Sequence, residues 1–131
     1  MQATEQDRLL VSLLTPVRLL EFLRGYVLFD RKVGKIVARY QQFFGIRALL
    51  ARISQKKPES QGGGREGGVV WHTTGSGKSF TMVFLTKALL LVDALKECRI
   101  VVVTDRIDLE TQLARNFMTG GAFGSSIATQ K

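Results

Sequence analysis

The chain is poor in several residue types, and each scarcity narrows what it can be. Cys98 is the single cysteine among 131 residues, so neither an internal disulfide nor a cysteine-built metal site is possible, which suits a reducing cytoplasm. No long apolar run occurs: "ALLLV" ends at Asp93 and is far too short to cross a bilayer. No stretch has the layout of a secretory signal. Acidic residues are also few, 11 against 19 Lys and Arg, which gives a formal charge of +8 and an isoelectric point near 10.2. Such a balance favours a polyanionic partner, nucleic acid before membrane.

The hydrophobic fraction is 45% and mean hydropathy is +0.08, enough for a sizeable core and against global disorder. The length fits one domain or a piece of a larger one. The basic excess is uneven: from Arg31 to Lys57 there are eight Lys or Arg and no acid. That segment reads either as a solvated face or as an approach surface for nucleic acid.

Along the chain, residues 1–14 give weak signals. Thr15 and Pro16 read as the cap and first-turn proline of a helix, "VRLLEFLRGY". A second helix is expected from Val33 or Gly34 to Ile53, since Ile36, Val37, Tyr40, Phe43 and Phe44 recur at helical spacing, with Lys35, Arg39 and Gln42 on another face. These helices make residues 1–53 a helical entry segment. "SQKKPESQGGGREGG", residues 54–68, holds a proline and five glycines without apolar periodicity and reads as a mobile linker or surface loop. Residues 69–131 then alternate strand and helix: strands at 69–72 and 99–104, helices at about 77–95 and 107–117. The β-branched run "RIVVVTD" implies a strand buried on both faces of a parallel sheet. The expected fold class is therefore α/β, a partial RecA-like P-loop NTPase domain preceded by helices.

The strongest chemical signal is "HTTGSGKS". The P-loop pattern is glycine, four residues, then Gly-Lys-Ser/Thr. Gly77, Lys78 and Ser79 stand in register, Gly75 lies inside, and His72 replaces the leading glycine. Gly75 and Gly77 let the backbone around Thr74 and Ser76 turn its N–H groups towards phosphate oxygens. Lys78 brings positive charge to the β- and γ-phosphates, and the Ser79 hydroxyl is a small hard ligand for Mg2+. A strand before the motif and the apolar helix "FTMVFLTKALLLV" after it supply the context that distinguishes a phosphate cradle from a glycine-rich turn. His72 has two readings: it touches nucleotide or substrate, or it ends the strand and packs at the loop's base.

Together, "GGVVWHTTGSGKSFTMVFLTKAL", "RIVVVTDRIDLETQLARNF" and the upstream "LLEFLRGYVLFDRKVGKIVARYQQFFGIRAL" resemble the motor (R) subunit of type I restriction enzymes, which are superfamily 2 helicase-like DNA translocases. The resemblance implies ATP and Mg2+ as cofactors, DNA as substrate, and modification and specificity subunits as partners. It makes "RYQQ" a glutamine motif, with Arg39 and Gln42 at its matching positions. A glutamine amide offers one acceptor and two donors and can pair with the N6 and N7 edge of adenine. It makes "VTDRIDLETQL" motif Ia, with Arg106, Thr111 and Gln112 as candidates to meet DNA phosphates. Leu109, Leu113 and Phe117 recur every fourth residue and read as core.

Two other readings compete: a non-catalytic nucleotide- or DNA-binding fragment of another superfamily 2 helicase, and a P-loop kinase in which "IVVVTD" carries Asp105 as the magnesium acid. Against the kinase, Thr104 separates the valines from the aspartate. The resemblance also implies what is missing. No paired-carboxylate nuclease site, Asp-Glu motif or arginine-finger motif occurs in these 131 residues, so the chain resembles a fragment with no catalytic residue of its own.

Overall fold

The computed structural model describes residues 4–30, 34–95, 97–103 and 114–118. Helix α1 spans Glu5–Leu14 and α2 spans Pro16–Gly25. Strands β1 (Val27–Asp30) and β2 (Gly34–Val37) form an antiparallel pair, α3 spans Tyr40–Ser54, and α4 spans Lys78–Leu90. Residues 114–118 are helical.

The first helix is one that the sequence signals only weakly. Its start is a reciprocal cap: the Asp7 amide donates to Thr4 Oγ1 at 3.2 Å, and the Thr4 amide donates to Asp7 Oδ2 at 2.9 Å. The Thr4 hydroxyl, which donates to Asp7 Oδ2 at 2.7 Å, and then the Thr4 amide hold the Asp7 carboxyl below its ordinary range. The second helix begins where Thr15-Pro16 places it, with Pro16 in its first turn.

The segment after it departs from the helical expectation. Residues 34–37 form β2, paired in register Val27↔Val37 and Leu28↔Ile36, and the helix begins only at Tyr40. Two causes are visible. Gly34 has φ +86°, which a right-handed helix does not accept. In addition, Ile36 and Val37 are β-branched, which a strand accommodates better than a helix. Lys35 therefore sits on a strand and Arg39 at the cap of α3, so the shared helical face expected for Lys35, Arg39 and Gln42 is absent.

The expected parallel sheet is also not formed among the described residues. Residues 69–72 and 99–103 carry no strand, and Val69, Trp71, Val101 and Val103 are 94%, 90%, 83% and 88% exposed. A strand apolar on both faces is ordered by ladder partners on its edges and helices over its faces. Among the described residues no ladder partner pairs with these segments, and only one side of each, at Val70, Ile100 and Val102, is partly covered. What is present is a small α/β arrangement with one antiparallel pair.

The core lies between α3, α4 and the strand pair. Phe43 and Ile46 of α3 meet Val83, Phe84 and Ala88 of α4, with Tyr26, Leu28 and Ala38 beside them and Phe117 closing the cluster. The Tyr26 and Phe43 rings meet edge to face at 4.7 Å. Lys87 Nζ donates to the Val27 carbonyl at 3.3 Å and ties α4 to β1. Helix α4 ends at Leu90, short of the expected 95, and residues 91–95 continue as turns.

Residues 54–68 form a surface excursion with a bridge between Lys56 and Arg65. The Lys57 amide donates to the Gly64 carbonyl at 3.0 Å, and Gly62, Gly63 and Gly64 turn with positive φ. The Arg65 guanidinium donates to the carbonyls of Ile53 and Ser54 at the negative end of α3, and to Ala94 after α4.

The Tyr26 hydroxyl is buried without a hydrogen-bond partner among the described residues. Burial, then the Glu21 carboxylate, raises its pKa from 10.0 to about 12, against a smaller opposite effect of Arg47. A phenol with a raised folded pKa favours the folded state below its unfolded pKa. That contribution is lost as pH rises from about 10 through about 12. Denaturation followed across this window should show wild type losing stability that Tyr26→Phe retains. The same slope in both would mean that Tyr26 is not the titrating group.

Candidate nucleotide-binding site

The site is built where the N-terminus of α3 meets the N-terminus of α4. Burial of Phe43 and Ile46 against Val83 and Phe84 fixes this approach. Arg39 precedes α3 in extended conformation, at φ −73° and ψ 156°, and Gln42 follows in the first turn. Across from them, residues 73–76 make a turn closed by the Ser76 amide on the Thr73 carbonyl at 3.3 Å. Arg39, Gln41, Gln42, His72, Thr73, Thr74, Gly75 and Ser76 line a cleft of about 200 Å³.

Gly75 and Gly77 have φ of +77° and +83°, the left-handed region that any side chain would strain. Nothing lies within 4 Å of the place a Cβ would occupy on Gly75, so the loop is open on that side. At Gly77 a Cβ would stand 3.0 Å from Gln42 Nε2, so crowding as well as φ requires glycine there. No side chain caps α4, which leaves its first N–H groups available to an anion. Lys78 is exposed at that helix start, and Ser79 follows half-buried. Ser76 Oγ is buried with no partner among the described residues. An open loop, an uncapped helix start, a lysine and an orphaned hydroxyl fit a phosphate group well.

Gln42 is 4% exposed, and its amide is occupied from both ends. Oε1 accepts the Arg39 amide at 2.8 Å, while Nε2 donates to the Gly77 carbonyl at 3.1 Å and to Thr81 Oγ1 at 3.0 Å. The adjacent Gln41 is exposed and lines the same cleft. His72 lies at the base of the loop, where a Cβ on Gly45 would come within 3.8 Å of Nε2. It lines the cleft as well as standing at the loop's base, but residues 69–72 form no strand for it to end. Sequence reasoning alone does not single out Thr81 or Gln41. The available signal was a lone hydroxyl in the apolar run "FTMVF", four residues after Gly77.

Residues 41–131 match the SWI2/SNF2 ATPase family. The chain belongs to that family. A type I restriction enzyme HindI endonuclease subunit of Haemophilus influenzae is 43% identical over 88% of the chain and 11% of its own length. A putative MjaIXP endonuclease subunit of Methanocaldococcus jannaschii is 36% identical over 87% of the chain and 11% of its own length. A Staphylococcus aureus SauCOLORF180P endonuclease subunit is 27% identical over 81% of the chain and 10% of its own length. The chain thus spans about a tenth of the curated relatives it matches. No solved structure matches it.

The remaining expected site residues of this SWI2/SNF2 ATPase chain are Arg106, Thr111 and Gln112, with Asp105 of the kinase reading. All four lie outside the described residues, as do Leu109 and Leu113. Phe117 is buried in the core, as its spacing implied. Among the described residues no three His, Cys, Asp or Glu cluster as a metal site. No described helix is long and apolar enough to cross a membrane. In the basic segment, Arg47 pairs with Glu21 at 3.3 Å and Arg52 with Glu66 at 3.1 Å.

Proposed function

We propose that this chain is the ATP-binding portion of the motor subunit of a type I restriction endonuclease, in which ATP hydrolysis drives translocation along DNA before cleavage. The observation that carries the reading is the glycine loop at the uncapped start of α4, with Lys78 beside it, in a chain of the SWI2/SNF2 ATPase family. Thr74, Gly75, Ser76, Gly77, Lys78 and Ser79 would hold the phosphates. Ser79 would supply a hydroxyl to Mg2+, which would neutralise phosphate charge. Arg39 and Gln42 line the cleft beside the loop and are proposed to hold the nucleotide with it.

Residues 1–53 would be the entry segment, 54–68 the connecting excursion and 69–131 the start of the motor domain proper. DNA is the proposed substrate. Arg106, Thr111 and Gln112 are its proposed contacts, and Lys56 and Lys57 are cations outside the two ion pairs that can meet phosphates. Modification and specificity subunits are the proposed partners, and the cytoplasm the proposed location.

The test is calorimetric titration of Mg-ATP into the intact polypeptide that carries these residues, beside Lys78→Ala. Lys78→Ala should lose ATP binding at least tenfold while its thermal unfolding stays that of wild type, because Lys78 is exposed. Equal affinities would sink the nucleotide reading.

A further inference from the structure

The carbonyl of Gly77 is the most heavily bonded group near the site. It accepts the Thr81 amide at 3.0 Å, Gln42 Nε2 at 3.1 Å and Thr81 Oγ1 at 3.2 Å. Thr81 Oγ1 in turn accepts Gln42 Nε2 at 3.0 Å, which closes a triangle between α3, α4 and the loop. Gln42 and Thr81 are 4% and 7% exposed, two of the few buried polar side chains among the described residues. Polar groups so enclosed keep their partners, because an unpaired one bears its full desolvation cost.

The Gly77 carbonyl shares a rigid plane with the Lys78 N–H, and in a trans peptide the two point in opposite directions. Three donors on the inner side therefore turn the Lys78 N–H outwards, away from the core. That N–H is the first of the uncapped donors at the start of α4. We propose that Thr81 and Gln42 form a buried latch that fixes the Gly77–Lys78 peptide, and that both are positioning residues for phosphate rather than readers of the base. The inference rests on the nucleotide-binding reading above and assigns these side chains a role within it. Both Nε2 donors of Gln42 are already used, so it can pair with the N6 and N7 edge of adenine together only by giving up one of those bonds, whereas Gln41 stands exposed in the same cleft.

The latch and a base-reading role differ in what they do to ligands without a base. Binding of Mg-tripolyphosphate, Mg-ATP and Mg-GTP would be measured on the intact polypeptide for wild type, Thr81→Val, Thr81→Ser, Gln42→Met and the double variant. Valine keeps the shape of Thr81 and removes the hydroxyl. All three ligands should weaken by a similar factor, roughly fivefold to a hundredfold for one buried donor left unpaired. Serine should restore most of the loss. Thr81→Val and Gln42→Met should combine to less than the product of their separate effects, since each cuts the same triangle.

Unchanged tripolyphosphate affinity in Thr81→Val, with wild type binding normally, would overturn the latch alone. So would a Gln42→Met loss confined to ATP. A wild type that binds none of the three ligands would overturn the nucleotide reading and the latch with it. Should Thr81→Val melt early, Gln42→Met against wild type still decides, because base reading and latch predict opposite results with tripolyphosphate.

Discussion

Replacing Phe43 by alanine is expected to cost about 3–5 kcal/mol, the range for emptying a buried aromatic site. Phe43 is fully enclosed and touches the rings of Phe22, Tyr26 and Phe44, with the Arg47 guanidinium 5.7 Å from its centroid. Its loss would leave a cavity between α3 and α4 that neighbouring side chains fill only in part. A domain of this size has about 5–15 kcal/mol of stability, so such a loss removes a large share of it. Denaturant unfolding measures it directly, with Phe44→Ala as the comparison. Phe44 lies on the same helix but is exposed, and its removal should cost under about 1 kcal/mol. Comparable losses for both would mean that α3 does not pack on α4 through Phe43. Because Gln42 precedes Phe43, the same variant should loosen the Gln42–Gly77 bond and weaken nucleotide binding even where the protein remains folded.

The history of Gln42 marks where sequence stops informing structure. The motif "TTGSGKS" carries its own local geometry, since glycines at fixed offsets from a lysine suffice to place a turn and a helix start, and α4 does begin at Lys78. The core residues Phe43 and Phe117 are likewise legible from spacing, although Tyr40 and Phe44 of the same helical series are exposed. Gln42, in contrast, meets residues 35 and 39 positions away, and no local pattern reveals which of its hydrogen-bonding groups are already used. Strand β2 is hard to read from sequence because Ile36 and Val37 also fit the helical series of Tyr40, Phe43 and Phe44, and the positive φ of Gly34 is a property of the fold rather than of the local pattern. The valines at 69–70 and 101–103 fail in the opposite way. Their strand propensity is real, but a strand is a pairing, and among the described residues no partner meets them. Propensity there is a statement about neighbours.

The 131-residue chain by itself is expected not to turn over ATP, even where it binds the nucleotide. Binding asks for the open glycine loop, the free N–H groups of α4, Lys78 and Ser79, all of which these residues supply. Hydrolysis asks for more. A water must be oriented in line with the transferred phosphoryl group, and the charge developing on that group must be neutralised by metal and arginine. No Asp-Glu pair occurs in the sequence to orient water and hold magnesium together. Among the described residues no acidic cluster takes that role. Lack of an arginine finger alone lowers the rate by about 10³–10⁵. Phosphate release would be followed with Mg-ATP, with and without duplex DNA, beside Lys78→Ala. The expected rate is that of the Lys78→Ala control. Turnover at ordinary enzyme rates that disappears with Lys78 would require a magnesium acid inside these residues. Asp105, at the end of the valine run, would then be the first carboxylate to replace.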